Sequence, residues 1–194
     1  MPRRIFWLLL LLIAFVPSVQ AHVESGGASS LLSGLLHPVT GLDHVVAMVA
    51  VGLWGAVLGA PAVWLLPVAF PIVMALGGLM GMLVVPLPGV EIGIAISGVV
   101  LGLLVLFEQR IPIGAALALV GVFAMFHGYA HGRELPDGSN ALLFSLAFVG
   151  STGLLHLFGI LVGELRRWPT GRRAVQITGA LIALTGVWFL LEIS

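Results

Sequence analysis

Long apolar runs fill this chain, and Pro, Gly and charged residues punctuate them. They mark off six runs, about 40–59, 62–86, 91–108, 112–132, 141–163 and 173–193. Each is close to the roughly 20 residues that carry a helix across a bilayer. The turns between them are short: Gly59-Ala60-Pro61, Pro86-Leu87-Pro88-Gly89, Gln109-Arg110-Ile111-Pro112, and Arg133 to Asn140. This pattern predicts an all-α integral membrane protein, a compact bundle of six transmembrane helices forming one domain over 22–194. Ala28 to Leu36 predicts a short extra helical stretch on the exported side. Small residues four apart recur at Gly55/Gly59, Gly77/Gly81, Gly98/Gly102 and Gly159/Gly163, and predict close backbone packing. The two halves do not align as an internal repeat.

Residues 1–21 read as a cleavable signal peptide. Arg3 and Arg4 form the basic region, Ile5 to Val16 the apolar region, and Val19-Gln20-Ala21 the small-residue cleavage site. The alternative is an uncleaved helix, but the apolar run is short for a span. Cleavage places the mature N-terminus outside, and six crossings return the C-terminus there. The inside turns then hold Arg110, Arg166, Arg167, Arg172 and Arg173, against Arg133 outside, in agreement with the positive-inside rule. In a bacterium this is a multi-pass protein of the inner membrane with both mature termini in the periplasm.

Composition narrows the function. The chain is 60% hydrophobic and 8% charged, with mean hydropathy +1.19, which is outside the soluble range. It has no cysteine, so disulfides and thiolate metal sites are excluded. All eight basic residues are arginine, so no Walker-A lysine exists and no other phosphate cradle appears. With zero net charge and no long basic run, nucleic acid is not a partner.

Against that apolar background, His37, Asp43 and His44 fall within HPVTGLDH at the start of the first predicted span. Pro38 and Gly41 predict that the helix is broken there, which is tolerated at membrane depth where backbone lines a polar cavity. His127, His131 and Glu134, at i, i+4 and i+7, share a face at the end of the fourth span. Both clusters lie on the periplasmic side at similar depth, so they read as one site. Imidazole and carboxylate without thiolate suit a divalent transition ion. The structural alternative, interhelical hydrogen bonding, is less favoured because ionisable groups in spans are costly. His22, Glu91 and His156 are secondary candidates. His22 would chelate with a freed α-amine. Glu91 reads equally as a helix-dipole partner or a vestibule carboxylate. His156 reads equally as an interhelical bond or a relay point. Met48, Met74, Met80, Met82 and Met125 read as packing, and the arginines 166–173 as a topology anchor.

HPVTGLDH followed by AMVAVGLWGAVLG, LPGVEIGIA, FAMFHGYAHGRELP and STGLLHLFG resembles the HupE/UreJ family of hydrogenase- and urease-associated nickel permeases. The likeness covers nearly the whole mature chain in the family's order. It implies a secondary permease, not an enzyme, taking nickel and in some members cobalt from periplasm to cytoplasm. No cofactor is implied beyond the transported ion. The family's motifs fall on His37, Asp43 and His44 and on His127, His131 and Glu134. In the mechanism expected from both lines, the outer carboxylates Glu24, Glu91, Glu134 and Asp137 draw the ion in. Hydrogenase or urease maturation would be the consumer, and the lipid bilayer the other partner. Two rivals stand beside this: an intramembrane zinc-dependent hydrolase, and a b-type haem protein. A metal sensor is weaker, since no cytoplasmic signalling domain is evident.

Overall fold

A computed structural model describes residues 27–135 and 139–193, and among these every regular element is helical. The expected signal peptide, His22, Glu24 and Asp137 lie outside the described residues. The helices are α1 (Gly27–Thr40), α2 (Leu42–Leu58), α3 (Ala62–Met82), α4 (Val90–Leu106), α5 (Ile113–Arg133), α6 (Ala141–Glu164) and α7 (Pro169–Ile193). A 3-10 turn, Leu165–Arg167, joins the last two. By length and composition α3, α5, α6 with its 3-10 turn, and α7 are four helices able to cross a membrane. The α1–α2 pair, bent by 78°, counts as a fifth where the two are taken as one broken span, and α4 is apolar but 17 residues long.

The first span is broken within the expected stretch 38–41, at its glycine rather than at its proline. Pro38 is accommodated near the end of α1, where its missing N–H removes only one intrahelical bond. The chain turns instead at Gly41, which is extended at φ −92° and ψ 115°. His37 and His44 therefore sit on two different helices. The extra helical stretch runs on to Thr40, beyond the expected Leu36. The second run stops at Met82 because Leu83 to Val85 fold back onto the carbonyls of Leu79, Met80 and Gly81. The last helix starts earlier than expected, at Pro169. Proline suits a first helical turn, and Arg172 and Arg173 lie within that helix, while Arg166 and Arg167 are in the 3-10 turn before it.

α2 is the axis of the bundle, apolar all round and buried over most of its length. It packs chiefly on α6, with α3 and α4 also against it, while α3 pairs with α5, α4 with α7, and α1 with α6. Each long pairing is made at glycines. A Cβ on Gly52 would lie 2.1 Å from the His156 carbonyl, and one on Gly159 2.2 Å from that of Val49. Gly102 and Gly186 bring α4 and α7 together likewise, and Gly77 and Gly81 bring α3 to α5. Gly59 does not act this way: it ends α2 with φ +81° and has nothing within 4 Å of a built Cβ.

The outside of the bundle is apolar. Trp64, Val68, Ile72 and Leu76, four apart on α3, are all exposed, a stripe suited to lipid rather than water. The buried polar side chains, among them His127, His156 and Thr152, are inside. Charge separates by end. Arg110, Arg166, Arg167, Arg172 and Arg173 cluster where α2, α4 and α6 finish. There Arg166 Nε donates to the Ala56 carbonyl at 3.1 Å, satisfying an end carbonyl of α2, and Arg172 pairs with Glu108. Arg166 thus caps a helix in addition to any anchoring role. At the opposite end, Asp43, Glu91, Glu134 and Glu192 accompany Arg133.

Candidate metal centre

At that acidic end, α1, α2, α5 and α6 bring the two histidine clusters together. The local sequence explains how each side chain is aimed. On α5 the repeat is His-Gly-x-x-His-Gly, so His127 and His131 share one face and Gly128 and Gly132 the adjacent one. Those glycines meet α3: a Cβ on Gly128 would lie 1.9 Å from the Met74 carbonyl, and one on Gly132 2.0 Å from that of Gly78. The imidazoles are thereby turned inward. On the other side Gly41 leaves room for its neighbours, since a Cβ there would stand 2.9 Å from Asp43 Oδ1 and 3.0 Å from His44 Nδ1.

The imidazoles form a row running inward from the rim. His37 Nε2 is 3.3 Å from Glu134 Oε2, and its ring centroid is 5.0 Å from that of His131. His131 lies 4.1 Å from His44, and His44 lies 5.2 Å from His127. Burial deepens along the row, from 26% side-chain exposure at His37 to 8% at His131 and none at His127. His37, His131 and Glu134 each offer a ligand atom within 4.8 Å of the others, the one such group among the described residues.

Hydrogen bonding sets which nitrogens are available. Asp43 Oδ1 lies 2.8 Å from His44 Nδ1, and the Phe123 carbonyl 2.9 Å from His127 Nδ1. Both oxygens accept, so Nδ1 carries the proton and Nε2 keeps its lone pair. Those two Nε2 atoms, and both nitrogens of His131, are buried without a hydrogen-bond partner. Buried polar groups in folded proteins are overwhelmingly satisfied, so a row of unpartnered nitrogens stands out as an arrangement that can hold a cation. Glu134 lies just past α5, and the His37 imidazole beside it holds its carboxyl below the usual glutamate range.

Outside the row opens a cavity of about 460 Å³, lined by Asp43, His44, Glu91, Arg133, Glu134 and Glu192 among others. The HupE/UreJ protein family model matches residues 9–189. The chain belongs to the HupE/UreJ family. A relative in that family, the protein named HupE from Rhizobium leguminosarum bv. viciae, is 46% identical over 172 residues, covering 88% of this chain and 90% of its own. No solved structure matches the chain.

Of the residues expected from sequence, this HupE/UreJ chain gathers His37, Asp43, His44, His127, His131 and Glu134 in one place. Glu91 joins through the outer cavity while also occupying the first turn of α4. His156 stands apart, deeper on α6. Sequence reasoning missed Glu192 and three aromatic rings: Phe148 at 4.3 Å from His131, Phe144 beside His37, and Phe70 beside His127. A signal for Glu192 existed. A carboxylate in the last turn of a helix opposes the helix dipole, so helix stability does not account for it.

Proposed function

We propose that this protein is a secondary permease that carries a divalent transition-metal ion from the periplasm into the cytoplasm, nickel first and cobalt second. The observation that carries the reading is the row of imidazoles with bare nitrogens, leading from a carboxylate-lined cavity into the apolar interior. Glu91, Glu134 and Glu192 raise the local concentration of a hydrated cation. His37, His131 and Glu134 take it from water, and His44 and His127, held in one tautomer by Asp43 and the Phe123 carbonyl, receive it next. At a nitrogen and oxygen site nickel binds more tightly than cobalt, so the two should compete in that order.

Six crossings fit this reading. At 1.5 Å per residue α4 is roughly 26 Å long, close to the bilayer core, and the arginine-rich end then faces the cytoplasm. A membrane potential favours entry by about 2.3 kcal/mol per charge per 100 mV, and by twice that for a divalent ion. Capture by hydrogenase or urease maturation would keep the gradient inward. No observation favours the haem alternative, since imidazole centroids 4.1 to 5.2 Å apart leave no space for a macrocycle between them.

The test is uptake of trace radioactive nickel by cells that lack their own importers, at matched membrane levels of native protein, Asp43→Ala and His131→Ala. Uptake by the native protein that both substitutions abolish is expected, with cobalt the stronger competitor over zinc. Absence of native uptake would end the nickel reading.

A further inference from the structure

Beyond His127 the row of imidazoles meets Phe70. This fully buried ring on α3 lies 5.8 Å from His127 and 5.4 Å from His156. The inner face of α6 continues the same line: Phe144 and Phe148 pack against the outer histidines, and Thr152 and His156 follow at the same four-residue spacing. Thr152 and His156 are almost completely buried, and the Thr152 hydroxyl and both His156 nitrogens have no hydrogen-bond partner.

A further donor comes from the backbone of α3. Pro67 and Pro71 are both inside that helix, and Pro71 has no N–H to offer the Pro67 carbonyl four residues earlier. That carbonyl lies beside the His156 ring without completing a hydrogen bond to it. Two prolines in an apolar helix thus supply an oxygen where a regular helix would have consumed it, a device used where irregular backbone lines an ion path. Gly52 meets the His156 carbonyl and fixes this part of α6 against the central helix.

We propose that His156, Thr152 and the Pro67 carbonyl form a second, inner binding station for the ion, partitioned from the outer histidines by the Phe70 ring. This rests on the permease reading above and adds a step to it. A partly dehydrated divalent ion leaves the outer imidazoles when Phe70 swings aside, and is held by one nitrogen and two neutral oxygens. This donor set is weaker than the outer cluster with its carboxylate, so the ion is released inward rather than trapped.

The experiment compares native protein, His156→Gln, Thr152→Val and His131→Ala in full-length form. It measures initial nickel uptake in cells and nickel binding by the purified proteins at equilibrium. The expected result for His156→Gln is a fall in uptake of roughly tenfold or more, with nickel binding at the outer cluster unchanged; Thr152→Val should show a smaller loss of the same kind. His131→Ala should lose outer binding and uptake together. Native uptake by His156→Gln would overturn the inner station. So would loss of outer binding by that variant, which would make His156 a packing residue. If the native protein neither binds nor accumulates nickel, the permease reading fails instead, a distinguishable result.

Discussion

Gly41 sets the geometry of the outer site at the scale of single residues. It ends one helix and opens the next, so that His37 and His44 approach the same α5 histidines from separate elements. It also leaves space for the Asp43–His44 pair, since a Cβ there would come within 2.9 Å of Asp43 Oδ1. The crowding atoms are side-chain tips, and the backbone at φ −92° admits any residue. Gly41→Ala should therefore leave the fold intact, with a stability change within about 1 kcal/mol, yet turn His44 away from its tautomer-fixing partner. Nickel uptake should fall by roughly tenfold or more, while the detergent-solubilised protein melts near the native temperature. Native uptake would show that the pair tolerates displacement. The histidines and carboxylates of this site were legible in the sequence because ionisable residues stand out in an apolar chain. Gly41 was legible as a break but not as a space for a side-chain pair, which depends on rotamers that sequence does not display.

Between elements, glycine contacts decide which helices meet. The contact of α3 with α5 matters most for the site, because Gly128 and Gly132 lie beside the histidines they orient. Gly128→Val places carbon where the Met74 carbonyl now sits, and no side-chain rotation relieves a clash with backbone. The helices must separate, so the cost should be at least the roughly 1–3 kcal/mol typical of overpacking, read as a lower melting temperature and lost uptake. Gly153→Ala on α6, with nothing within 4 Å of the new carbon, is the matched control and should behave as native. The sequence announced that small residues would pack, but not which pairs. Gly59 shows why: its spacing from Gly55 fits the pattern, yet the chain leaves the helix there. Gly128 and Gly132 were overshadowed by the histidines before them, although the pairing of ligand and small residue in one motif was the stronger clue to helix contact.

At the scale of the whole molecule, the histidine cluster lies with Asp43, Glu91, Glu134 and Glu192 at one end, and most of the described arginines lie at the other, where Glu108 and Glu164 pair with Arg172 and Arg167. That asymmetry sets both the orientation proposed here and the side from which acid should act. An imidazole that takes a proton on its bare nitrogen loses the lone pair a metal needs, so binding weakens as pH falls. Glu134 behaves differently. Its carboxyl is held below the ordinary range by His37, so its charge, and the tie it gives between α1 and the end of α5, persists above that lowered value and is lost only on further acidification. In right-side-out membrane vesicles with the lumen buffered near neutrality and the potential clamped, nickel uptake should fall when the external medium is acidified, because protons compete with the metal for the imidazole nitrogens. Raising external pH again should restore it, and acidifying the lumen alone should leave initial entry largely unchanged. If entry instead followed the lumen and ignored the medium, the histidine end would face the cytoplasm, and the direction of transport would have to be reversed.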